Sequence, residues 1–191
     1  MDKRHLNARN GLAAVAVAGA LVTLSVGGAA TASGADAGAA ASPATITMKF
    51  EKGKFSFKGA KTVRRGAKLR IRNDTNPRSG GPHTFSLVRK RLLPGTPKEQ
   101  KQCFAGNICL KLAMAHEFDE ETGKVGKSLV RVGKRGWDRQ FTASRRGDTW
   151  YSETDGETFS QKVSAKPGTS LSYLCAIHPE MQGTIKVIAG R

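Results

Sequence analysis

The run Tyr173-Leu174-Cys175-Ala176-Ile177-His178-Pro179-Glu180-Met181-Gln182-Gly183 concentrates side chains that can do chemistry. It sets a thiol, an imidazole and a thioether at Cys-x2-His-x2-Met spacing, three soft or borderline donors within one short turn. Soft sulfur stabilises Cu(I) and imidazole accepts both oxidation states, so the combination selects copper. Two His and one Cys in a trigonal arrangement, with a weak axial Met, make the blue-copper pattern. The second imidazole must come from elsewhere in the chain. His83 is the candidate, because it opens a predicted strand directly after Gly80-Gly81-Pro82 and shares a face with Phe85 and Leu87. Gln182 is the rival of Met181 for the axial place, at a spacing that fits less well. Taken singly, a histidine beside Phe85 reads as a satisfied core residue and Met181 as packing; the set matches one coordination geometry. His116 stands outside it, beside Glu117 in a charged stretch, where a solvated helix face is the expected role. A site made from Cys103, Cys109 and His116 is the alternative to a disulfide there.

The start of the chain bears on how the thiols are read. Lys3, Arg4 and Arg9 form a positive segment, and Gly11 to Val26 is an apolar run rich in Ala, Val and Gly, too short and small-sided for a comfortable membrane span. Residues 1–32 therefore read as a secretory signal peptide with Ala30-Thr31-Ala32 before the cut, and 33–43 as a flexible linker. An uncleaved anchor is the competing reading. In an exported protein Cys103 and Cys109, with five residues between them, are expected to form a disulfide. Cys175 is then left single: a free reactive thiol, a bridge to another chain, or a thiolate held by a metal.

The elements that must position these residues read as strands. Ile46, Met48 and Phe50 alternate with polar residues, as do Phe55 and Phe57, Leu69 and Ile71, and His83, Phe85 and Leu87. Asn73-Asp74 to Gly81 is a breaker-rich loop. Pro167-Gly168 turns the chain into Leu171, Tyr173 and Cys175, and Gly183 opens a last strand through Ile185 and Val187. Short strands with turns at this spacing argue for an all-β, Greek-key sandwich of about eight strands over residues 44–191. Residues from about 89 to 156 are rich in Lys, Arg, Gly and Glu and read as a long, partly helical insertion. Ile108, Leu112 and Ala115 are spaced for a short helix within it. Trp137, Phe141, Trp150 and Tyr151 are expected to fasten it to the sandwich.

Pro82-His83, followed after a long gap by Cys175-x-x-His178-Pro179-x-Met181 and the strand Gly183-Thr-Ile-Lys-Val187, resembles the cupredoxins, and most of all the ligand loops of amicyanin and plastocyanin. The resemblance covers roughly residues 44–88 and 157–189. It implies an eight-stranded sandwich, one bound copper and one-electron transfer. Two departures stand out. The family usually has Asn after the first histidine, where its side chain ties the two ligand loops together; here that residue is Thr84. Amicyanin-like loops carry Thr-Pro between Cys and His, where this chain has Ala176 and Ile177.

Charge bounds the partners. The chain carries 32 Lys and Arg against 15 Asp and Glu, a net +17, and loss of residues 1–32, with three basic and one acidic side chain, leaves +15. Such a surface favours an acidic redox protein or an anionic membrane or cell-wall surface. Nucleic acid is not expected, since no aromatic-interleaved basic motif of the kind that stacks bases is present. The function classes in play are an electron carrier, a copper chaperone or storage protein, and a structural sandwich. An enzyme is not expected, since the sequence has no His-x-His pair for a trinuclear copper cluster.

Overall fold

The computed structural model of the chain describes residues 43–76, 81–133 and 135–190. The expected signal peptide, 1–32, and all of the expected linker but Pro43 lie outside the described residues. Among the described residues no helix is long and apolar enough to cross a membrane.

Period-two burial builds the first sheet. In β1 (Ala44–Glu51) Ile46 and Met48 turn inward, and in β4 (Lys68–Asp74) Leu69, Ile71 and Asn73 do so. β1 joins β2 (Lys54–Gly59) through Lys52 and Gly53, both at positive φ, as a two-residue turn that matches strand twist requires. β1 then runs parallel to β4, and β4 pairs antiparallel with β8 (Thr158–Lys162), giving the order β2-β1-β4-β8.

The second sheet has the order β3-β10-β9-β5-β7-β6, from β3 (Thr62–Arg64), β5 (His83–Leu87), β6 (Leu129–Val130), β7 (Thr149–Ser152), β9 (Ser170–Leu174) and β10 (Gln182–Ile188). The main core lies between the sheets. Ile46, Met48, Leu69 and Ile71 meet Phe85, Tyr173, Ile185 and Val187, with Trp137 and Trp150 among them.

All five residues of β5 are buried, because its outer face is covered as well. The span from 89 to 156 does the covering. Its α1 (Pro97–Lys101) starts with a capping box between Thr96 and Glu99, and α2 (Ile108–Ala115) falls where the Ile108, Leu112, Ala115 spacing puts a helix. Ile108, Leu112 and Ala115 pack with Val88, Phe141, Leu174 and Ala176 into a second apolar cluster. The same span supplies β6 and β7, so the sheet itself continues into it, and ten strands stand among the described residues where about eight were expected. The extra ones hold two to five residues each, too short for period two to repeat. Cys103 and Cys109 are disulfide-bonded, with Cα atoms 5.1 Å apart, and anchor the loop before α2. His116 departs from expectation. It is buried, not solvated, with Nδ1 2.6 Å from the Lys127 carbonyl and Nε2 2.9 Å from Thr149 Oγ1. Burial holds its pKa below the ordinary imidazole value, against the Lys127 hydrogen bond.

Candidate metal centre

Two strand ends bring the donors together. His83 is the first residue of β5, entered from Gly81 at φ 55° and Pro82. Cys175, His178 and Met181 occupy the turn from β9 to β10. That turn is closed by Cys175 N–H to the Met181 carbonyl at 3.0 Å and Met181 N–H to the His178 carbonyl at 2.8 Å. The Gln182 amide closes it further, donating to the carbonyls of Pro179 and Pro94 at 2.7 Å each. Gly183 is required beside it, since a Cβ there would lie 2.4 Å from the Tyr173 ring.

His83 Nδ1 lies 3.1 Å from His178 Nδ1, and Cys175 Sγ lies 3.8 Å from the first and 3.9 Å from the second. The point equidistant from these three atoms is about 2.1 Å from each, within the roughly 2.0–2.3 Å over which nitrogen and thiolate sulfur bind a first-row metal ion. Among the described residues this is the one group of three His, Cys, Asp or Glu side chains whose donor atoms converge so closely. His83 and Cys175 are fully buried and His178 partly so. The donor chemistry therefore fits copper, and the His83-Cys175-His178 group can hold it. Met181 is fully buried in the main core at the same turn. The structure thus puts all four sequence-predicted residues at one end of the sandwich and brings three of them into mutual contact.

The surroundings act on these donors. Burial pushes the Cys175 thiol above its ordinary value, opposed by the backbone N–H groups of Thr84, His178 and Ile177. Thr84 N–H reaches Cys175 Sγ at 3.3 Å, and Thr84 Oγ1 accepts from Ala176 N–H at 2.8 Å. The Thr84 hydroxyl thus ties the start of β5 to the β9–β10 turn. Burial also lowers the His178 pKa, with Glu180 opposing, which favours the neutral ring that a metal needs.

Three further residues flank the donors. Phe55 of β2 stacks on His178, ring centroids 3.9 Å apart, and approaches His83 at 5.3 Å. Thr75 Oγ1 lies 3.1 Å from His83 Nε2, and Asn73 accepts from Thr75 at 2.6 Å. In sequence Phe55 shows through its alternation with Phe57, and Asn73 as a polar residue that follows Leu69 and Ile71 at period two; Thr75 shows no pattern.

No family model matches the chain, and no curated protein does. Solved structures resemble it. A purple cupredoxin from Nitrosopumilus maritimus is 11% identical over 75% of this chain and 98% of its own, with a TM-score of 0.38. Auracyanin A, a "blue" copper protein from Chloroflexus aurantiacus, is 16% identical over 76% of this chain and 98% of its own, also at 0.38. A multi-copper oxidase from Pediococcus acidilactici is 12% identical over 76% of this chain but only 26% of its own, at 0.36. Scores this low carry no inference about what this chain does, which rests on its own donor geometry.

Proposed function

We propose that this chain is an exported one-electron carrier of the cupredoxin kind, in which His83, Cys175, His178 and Met181 would hold one copper ion. One observation carries the reading: two imidazole nitrogens and a thiol sulfur, from strand ends 92 residues apart in sequence, converge at bonding distance in a largely buried place. Bound there, copper supplies a reversible Cu(I)/Cu(II) couple.

The chain's own groups do the rest. Thr84 N–H donates to the Cys175 sulfur and spreads thiolate charge into the backbone. The Thr84–Ala176 bond and the hydrogen bonds across the turn hold β5 and the β9–β10 turn in fixed relation, so the donors stay in place when the electron arrives or leaves. Burial excludes water from the sulfur. Of the three donors only His178 reaches partial exposure, and its ring supports an electron path to the surface.

A chaperone or storage protein would be expected to offer exposed clusters of soft donors. One buried set among the described residues favours the carrier. Beside the set, Pro82, Phe104, Phe118 and Ile177 line an apolar cavity of about 260 Å³, and Ile177 with Pro179 borders His178. That apolar surface on a chain of net charge +17 supports a redox partner that is acidic. Export is part of the proposal, supported by the sequence of residues 1–32 and the Cys103–Cys109 disulfide.

Titration of the metal-free protein with Cu(II) tests the reading. One equivalent should saturate it, and Cys175→Ser should lose the strong visible absorption while leaving the fold intact by circular dichroism. Saturation at several equivalents, without a strong band, would turn the assignment toward storage.

A further inference from the structure

A buried hydrogen-bond relay determines which nitrogen of His83 carries its proton. Asn73, Thr75, His83 and Ser152 are each at most 2% exposed. Asn73 Nδ2 lies 3.1 Å from the Thr154 carbonyl and 3.0 Å from Ser152 Oγ. A carbonyl can only accept, so the NH2 end of the Asn73 amide faces Thr154 and its oxygen faces Thr75. Asn73 Oδ1 can likewise only accept, so the single hydroxyl hydrogen of Thr75 goes to it, over 2.6 Å. Toward His83 the Thr75 oxygen can then act only as an acceptor. The proton on that 3.1 Å contact belongs to His83 Nε2. A neutral imidazole with Nε2–H has its lone pair at Nδ1, the atom that faces Cys175 Sγ and His178 Nδ1.

We propose that Thr75 and Asn73 are positioning residues that lock His83 in the Nε2–H tautomer, so that Nδ1 is a preformed donor before any metal arrives. The inference rests on the reading of His83 as a ligand and deepens it. The relay is braced at both ends. Asn73 N–H donates to the Glu157 carbonyl and its own carbonyl accepts from Gly156 N–H, both at 2.9 Å. Ser152 of β7, which contacts the Asn73 amide, is the register partner of His83 in β5. The anchor for the ligand therefore comes from the opposite sheet and from the neighbouring strand together, and the ring can neither rotate nor exchange tautomers without breaking a buried chain.

Long-range 1H–15N correlation of the labelled, metal-free protein tests this, since the two ring nitrogens of each neutral tautomer give distinct shifts. Wild type is expected to show His83 as Nε2–H alone. Thr75→Val, which keeps the side-chain shape and removes the acceptor, should give a mixture of tautomers and weaken copper binding by about 10–100-fold, the scale for losing a partner of a ligating histidine. Thr75→Ser keeps the hydroxyl and should restore both. An Nδ1–H tautomer in wild type, or Thr75→Val indistinguishable from wild type in tautomer and affinity, overturns the relay. Zinc(II), a diamagnetic stand-in for copper, separates the two claims: it should shift His83 Nδ1 on binding, and an unmoved Nδ1 beside an intact Nε2–H overturns the ligand reading itself.

Discussion

At the scale of single residues, buried polar groups such as Thr84 and Asp148 are held by backbone N–H groups and by hydroxyl contacts. Thr84 makes two contacts at once: its hydroxyl accepts the Ala176 N–H at 2.8 Å while its own N–H reaches the sulfur. Thr84→Val should therefore leave copper bound but loosen the link between the loops, seen as a change in reduction potential with little change in secondary structure. Asp148 is the other instructive residue. Burial pushes its carboxyl up to about 6 from 3.8, against the N–H groups of Asp138 and Arg139, which donate to one oxygen at 2.8 and 2.7 Å. The folded chain thus holds a proton there that the unfolded chain releases. Its contribution to stability is full below pH 3.8 and is lost as pH rises through about 6. Asp148→Asn keeps an oxygen for both N–H groups and removes the charge. Denaturant unfolding should show a gain of up to about 3 kcal/mol at pH 7.5 that vanishes near pH 4; equal gains at both pH values would mean the carboxylate is not the cause.

At the scale of elements, the parts legible in sequence are those whose period repeats. β1, β4, β5, β9 and β10 each place at least two inward residues at period two, and α2 shows its spacing through Ile108, Leu112 and Ala115. β7 has four residues, among them Thr149 and Ser152, which are buried through hydrogen bonds and not through apolar character. Trp150 and Tyr151 stand side by side between them, one buried and one half-buried, so the strand shows no period-two alternation. His116 is silent in sequence too: beside Glu117 it reads as solvated, whereas Lys127 and Thr149 satisfy both ring nitrogens in a buried place. Asn73 was absorbed into the loop that follows it, although its parity with Leu69 and Ile71 pointed inward. The span from 89 to 156 is held by its own cluster, with Phe141 2% exposed at its centre. Phe141→Ala should cost about 3–5 kcal/mol. Hydrogen exchange should quicken first in α2 and β6, whereas uniform quickening of both sheets would show that this layer does not unfold separately.

At the scale of the whole molecule, the described residues form a sandwich of ten strands with a second apolar layer on one sheet, and the donor set sits where β5 and the β9–β10 turn meet. The 32 basic side chains of the chain exceed the 15 acidic ones by 17, a net positive charge that acts at long range. The rate of electron exchange with an acidic redox protein should fall as the Debye length shrinks from about 30 Å at 0.01 M salt to about 10 Å at 0.1 M, and the rate with a basic one should rise. Rates without salt dependence would leave the charge as solvation alone. The central claim, that His83, Cys175 and His178 together hold copper, is tested most directly by the visible and paramagnetic resonance spectra of the Cu(II)-loaded protein, with Cys175→Ser as its control. The account predicts an intense sulfur-to-copper charge-transfer band with small copper hyperfine splitting, both lost in the variant. A weakly coloured protein with ordinary tetragonal splitting, unchanged by the substitution, would contradict it.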